Sequence, residues 1–237
     1  ADADSLGALD DAAADLGNHE RLERLDAGEA RRRVPALNPD IVAAALYDPE
    51  IADMDVNAIH RGFLRMASAK GATLHNDARV ERIERTGDAW KVATRGETFA
   101  APVIVNAAGA WADEIGQMAG AQPIGLQPMR RTAVIVDGPE GADVQAWPAV
   151  DRAAIKFYFE PEAGRLMLSP GHETPVPPQV VQPDDFDVAV AIDWFETVTT
   201  LKVRQVRHRW AGLRSFVADR APVVGFDETV PGGPADS

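Results

Sequence analysis

The sequence contains no cysteine, so it forms no disulfide and offers no thiolate to a metal. Bases are scarce beside acids: 24 Lys and Arg against 37 Asp and Glu leave a net charge of −13. That balance argues against a nucleic-acid partner, since a duplex needs a basic face to meet its phosphates. No apolar run reaches the roughly 20 residues a helix needs to cross a bilayer, and no signal-like segment opens the chain. A cytoplasmic location is therefore expected. The five histidines lie at 19, 60, 75, 172 and 208, with no i, i+4 pair, so no helix metal site is expected. None of the 19 glycines falls in a Gly-x-Gly-x-x-Gly fingerprint.

What is present suffices for a substantial core: 237 residues, 46% of them hydrophobic, bury one large domain or two small ones. Much of the acidity is local. Residues 1–30 hold nine acids against Arg21 and Arg24, which reads as a solvated helix or a frayed end.

The most informative stretch is Val103–Asp113, an apolar strand entering the small-residue turn Ala107-Ala108-Gly109 and then a helix that ends at Gly120. Small residues let a flat group or a phosphate approach the backbone closely, which points to a nucleotide cofactor. In the plainer reading, Gly109 only relieves crowding in an ordinary strand-to-helix connection. Before it, Asp53 or Asp55 caps a helix with Val56, Ile59, Phe63 and Met66 on one face, closed by Gly71. A short strand over 73–75 follows, then a strand with Val80 and Ile83, a tight Thr86-Gly87-Asp88 loop and a hairpin partner from Trp90 to Ala93.

Residues 78–84 together with Val103–Trp111 resemble the FAD-dependent D-amino-acid oxidase superfamily, in the branch of glycine oxidase and sarcosine oxidase. Three later motifs, Gly125–Thr132, Lys156–Gly164 and Trp210–Asp219, are similar to its bacterial D-arginine dehydrogenase group. The resemblance covers about 37–226. It implies an FAD cofactor met by Val80, Ala107, Ala108, Gly109, Trp111 and Gly212. It further implies oxidation of a D-amino acid, basic ones such as D-arginine included, to an imino acid by hydride transfer from Cα. A small-molecule amino-acid substrate is thus the expected partner, and no residue is assigned a catalytic role. The family's triple-glycine fingerprint belongs near its start. With that motif missing, an initial Ala1 and a final Val230–Ser237 run, the chain is expected to be an internal fragment that holds FAD weakly or not at all by itself.

In the resembled dehydrogenases, the positions of Arg131, Tyr158 and Arg214 bind the substrate carboxylate. The chemistry suits them: a planar guanidinium grips a carboxylate bidentately and a phenol donates to the same group. Arg131 lies in an alternating run that reads as a strand, Tyr158 in a strand-like run over 155–159, and Arg214 in a turn after Gly212. Arg130 is the rival of Arg131, because neighbours on a strand face opposite ways. Tyr158 has an ordinary reading as a core or interface residue. Arg204, Arg207, His208 and Arg209 form a basic patch, and Asp184-Asp185 caps a helix over 186–198.

The fold class that follows is α+β: a mostly antiparallel substrate-binding sheet with helices, plus remnants of a Rossmann-like FAD-binding α/β domain. The expected division is interleaved, with 1–52 and 121–214 forming the substrate-binding (cap) domain and 53–120 and 215–237 the remaining parts of the FAD-binding domain. Two other readings stay open: a non-catalytic substrate-binding domain, and an amine oxidase of the glycine or sarcosine type.

Overall fold

The structure, a computed structural model, describes residues 1–15, 21–153, 156–227 and 230. His19, Glu20, the Ile155 end of the Tyr158 run and most of the Val230–Ser237 run lie outside the described residues. The elements in chain order are α1 (Leu6–Asp15), β1 (Glu23–Asp26), α2 (Ala27–Arg33), β2 (Ala44–Tyr47), α3 (Val56–Ala69), β3 (Val80–Thr86), β4 (Ala89–Thr94), β5 (Thr98–Ala101), α4 (Ala112–Met118), β6 (Gln127–Val136), β7 (Val150–Asp151), β8 (Tyr158–Glu162), β9 (Arg165–Ser169), β10 (Thr174–Pro175), α5 (Asp185–Val198) and β11 (Val206–Phe216). Helices and antiparallel sheets together make the fold α+β. They fall into two compact units, 1–52 with 129–214 and 53–128 with 215–237.

The first unit is built on a sheet in which β6 pairs with β9, β10 and β11, while β9 continues through β8 to β7. Strand alternation sends Val134, Leu168 and Phe159 to one face, where all three are buried. Helix α5 covers that face: the Phe159 ring meets Phe195 edge-on at 5.3 Å and Phe157 meets Trp194 at 5.9 Å. Rings of this size contribute most of the apolar area a core removes from water. Asp184 starts α5 as expected, its carboxylate accepting from the Phe186 N–H. The α5 end is tied down by Asn38, whose N–H donates to the Val198 carbonyl and whose amide donates to that of Thr197.

The acidic N-terminal stretch is more ordered than a frayed end. Leu9, Ala13, Leu25 and Ala30 are buried while Asp10, Asp11 and Glu23 stay exposed. A reciprocal capping box, Asp26 to the Glu29 N–H and Glu29 back to the Asp26 N–H, fixes the start of α2.

The second unit carries the three-stranded meander β3-β4-β5. Its first hairpin turns at Gly87-Asp88 with Gly87 at φ 60°, the first-position glycine that a type II′ turn requires. Helix α3 starts at Asp55, which accepts from the Ala58 N–H, and closes before Gly71 at φ 88°.

Two expected strands are absent from this unit. Residues 73–75 and 103–105 have no ladder partner and form no strand. An isolated extended segment leaves its backbone groups unpaired, so an apolar run alone does not make one. Val105 is 86% exposed, and the apolar face of α3 (Val56, Ile59, Phe63 and Met66) is likewise exposed.

Candidate functional site

The carboxylate-binding candidates lie on three strands of the first unit's sheet, Arg131 on β6, Tyr158 on β8 and Arg214 on β11. On β6, Arg130 and Thr132 face α5. The Thr132 hydroxyl donates to Asp187 at 2.8 Å, and Arg130 reaches Asp184 at 2.9 Å and Asp187 at 3.5 Å. Arg131 therefore lies on the opposite face, while Arg130 is a strut between strand and helix. Across the sheet, Phe157 and Phe159 point into the core, which sends Tyr158 to the face of Arg131.

Arg214 is not in a turn, contrary to expectation. Gly212 and Arg214 both lie inside the continuous strand β11, because its pairing with β6 carries the backbone straight through the glycine. Arg209 of this strand pairs with Asp185 at the start of α5, so it faces the helix. His208 and Trp210 turn the other way, stacked on each other at 5.5 Å and 24°. They line an open groove of about 530 Å³ together with Ile135 and Arg207. Gly212 and Arg214 have the parity of His208 and Trp210 along β11.

The expected basic patch is largely neutralised. Arg207 and Arg165 both pair with Asp137, whose carboxyl is held below the usual range chiefly by the Arg207 hydrogen bond.

Glu173, Asp187 and Asp151 escaped sequence reasoning, and His172 and Lys156 were given no role there. Strand β10 pairs antiparallel with β6, Thr174 opposite Arg130, and one step further along that register sets Glu173 opposite Arg131 and His172 opposite Thr132. The contacts agree. Arg131 donates to Glu173 at 2.8 Å, Lys156 donates to the other oxygen of the same carboxylate at 2.8 Å, and His172 Nδ1 meets Asp187 at 3.1 Å. Asp187 is buried among His172, Thr132 and Arg130. The available signal was parity across a strand pair, hidden because β10 is only two residues long. Asp151 is opposite Tyr158 on β7, and loss of hydration raises its carboxyl above the usual value, partly opposed by the Arg152 backbone N–H and then by the charge of Arg131.

In the second unit, the turn at Ala107–Gly109 is shaped by Asn106. Its side chain donates to the Ala112 carbonyl and accepts from the Ala108 N–H. Gly109 has φ 55°, and a Cβ there would meet nothing within 4 Å, so space lies open before the turn. Asp113 accepts from the backbone N–H groups of Ile124 and Leu126 and so fastens the chain after α4. Val80 begins β3, an edge strand, just where a register shift separates it from Arg82.

The sequence profile of the family described as FAD dependent oxidoreductase (DAO) matches residues 1–233. The chain belongs to that family.

Its relatives include mitochondrial sarcosine dehydrogenase of Mus musculus, 26% identical over 218 residues, which takes in 85% of this chain and 23% of that protein. Glycine oxidase of Geobacillus kaustophilus is 28% identical over 159 residues, 67% of this chain and 41% of that protein. Among solved structures, L-proline dehydrogenase from P. horikoshii shares the fold with a TM-score of 0.81 at 21% identity, over 98% of this chain and 63% of that one. The chain thus spans less than half the length of these curated relatives.

FAD is the cofactor of the DAO family, and the residues present fit it. In the second unit, the open space before Gly109 and the bulged edge at Val80 each leave backbone accessible to a flat or ribose-bearing group. Among the described residues, no helix is long and apolar enough to cross a membrane, and no group of three or more His, Asp or Glu could hold a metal ion.

Proposed function

We propose that the protein containing this chain is a flavin-dependent oxidoreductase that oxidises an amino acid at Cα, with basic D-amino acids such as D-arginine as its substrates. One feature supports the reading: in a member of the DAO family, Arg131 and Tyr158 share a face of one sheet by strand alternation, and Arg214 lies on β11, the strand paired with that of Arg131. When bound, FAD supplies the two-electron redox chemistry, accepting hydride from the substrate Cα. Val80, Ala107, Ala108, Gly109, Trp111 and Gly212 are the positions proposed to hold it.

The work of the chain is then to hold the substrate. Arg131 and Arg214 grip its carboxylate and Tyr158 donates a hydrogen bond to the same group, which fixes the direction of the Cα–H bond. A net charge of −13 suits a cationic substrate. Residues 1–52 and 121–214 form the substrate-binding domain in this reading, and 53–120 with 215–237 belong to the FAD-binding domain.

The test is anaerobic stopped-flow mixing of the flavin-loaded protein with D-arginine, glycine and sarcosine. Rapid bleaching by D-arginine is the expected result. Bleaching by glycine or sarcosine alone favours the second reading, an amine oxidase like the sarcosine- and glycine-named relatives. A protein that stays colourless after FAD addition would leave the chain as a non-catalytic substrate-binding domain.

A further inference from the structure

We infer that Glu173 is a positioning residue for carboxylate recognition, holding the Arg131 guanidinium by one corner while Lys156 takes up part of its charge. The inference rests on the reading of Arg131 as a carboxylate ligand given above.

Three observations carry it. First, Arg131 and Glu173 are a cross-strand pair largely withdrawn from water, with side-chain exposures of 22% and 13%. A charge-assisted hydrogen bond in such surroundings restrains a long side chain far better than a surface pair does. Second, Glu173 engages Arg131 at Nη2, and among the described residues the buried Arg131 Nε has no hydrogen-bond partner. A buried unpaired donor is unfavourable, and a second carboxylate arriving at the Nε side would satisfy it. Third, the other Glu173 oxygen is held by Lys156 at 2.8 Å. Glu173 is thus shared between two cations, so it orients the guanidinium while Lys156 takes up part of its negative charge.

The backbone is arranged to keep this geometry. Glu173 immediately precedes β10, whose pairing with β6 fixes its Cα beside Arg131. Gly171, at φ 62°, packs against the Lys156 backbone so closely that a Cβ would lie 2.3 Å from the Lys156 carbonyl oxygen. The loop bearing the acid and the lysine that balances it are thereby locked together.

The experiment is calorimetric titration of the FAD-loaded protein with 5-guanidinopentanoate, an arginine analogue that has the carboxylate but no amino group to oxidise. Butylguanidine, which lacks the carboxylate, is the comparator, and thermal melts confirm that each variant is folded. Glu173→Ala is expected to raise the Kd for 5-guanidinopentanoate about tenfold and to leave butylguanidine unchanged. Glu173→Gln, which still accepts from Arg131, is expected to restore binding to within about threefold of the parent. Unchanged or tighter binding of the carboxylate probe by Glu173→Ala would overturn the inference, as would equal losses for both probes. Arg131→Met isolates the underlying reading: if it binds the carboxylate probe as the parent does, Arg131 is not the carboxylate ligand and both proposals fall. If Arg131→Met alone weakens binding, only the role of Glu173 fails.

Discussion

At the scale of the residue, adjacent side chains on one strand do opposite work. Arg130 and Thr132 converge on Asp187 and fasten β6 to α5, whereas Arg131 is left to the other face and Glu173. The resemblance selected Arg131, with Arg130 as its rival, and strand periodicity alone does not say which of the two faces α5. Gly171 shows the opposite situation, a residue with no side chain that determines where two others lie. An alanine there would need the left-handed backbone at φ 62°, which costs an L-residue about 1–2 kcal/mol, and would also drive a methyl into the Lys156 carbonyl. Gly171→Ala is therefore expected to destabilise the protein by about 2 kcal/mol or more in urea unfolding. A loss below about 0.5 kcal/mol would show that the loop relaxes freely and does not lock Lys156 to the 171–173 turn.

At the scale of the element, local chemistry was legible wherever it resided in short-range signals. The caps at Asp55 and Asp184, the Gly87 turn and the stop at Gly71 follow from side-chain acceptors and positive φ, which act over a few residues. The expected strands at 73–75 and 103–105 failed because a strand needs a partner, and partnership is not a local property. Gly212 misled in the same way: a glycine permits a turn without compelling one, and pairing with β6 kept β11 straight. One ion pair at an element end yields a pH prediction. Glu196 of α5 accepts from the Lys202 ammonium and the Val203 N–H, and these two, the lysine first, hold its carboxyl below the usual glutamate value. A lowered folded value means that the stabilisation is complete above the ordinary glutamate pKa of about 4.3 and fades as pH falls through the lowered one. The Tm difference between the parent and Glu196→Gln should thus be largest above pH 5 and shrink towards pH 3. A difference that stays constant over that range would mean the carboxylate charge contributes nothing.

At the scale of the whole molecule, the two units differ in how completely they bury their apolar side chains. The first has a contiguous core running from Leu25 through Val134, Phe159 and Phe195 to Val198. In the second, α3 keeps its caps and its amphipathic pattern while none of its residues is buried. Its helical form therefore comes from local signals, and its apolar face adds little packing energy to this chain. The consequence is measurable at Phe63, which is 64% exposed. Removing a side chain that packs against little should change stability by no more than about 0.5 kcal/mol, whereas removing a core phenylalanine such as Phe159 should cost about 3–5 kcal/mol. Exposed apolar patches drive association, so Phe63→Ser should also lower dye binding and concentration-dependent light scattering of the isolated chain. A large stability loss in Phe63→Ser, with scattering unchanged, would show that this face is already covered in solution.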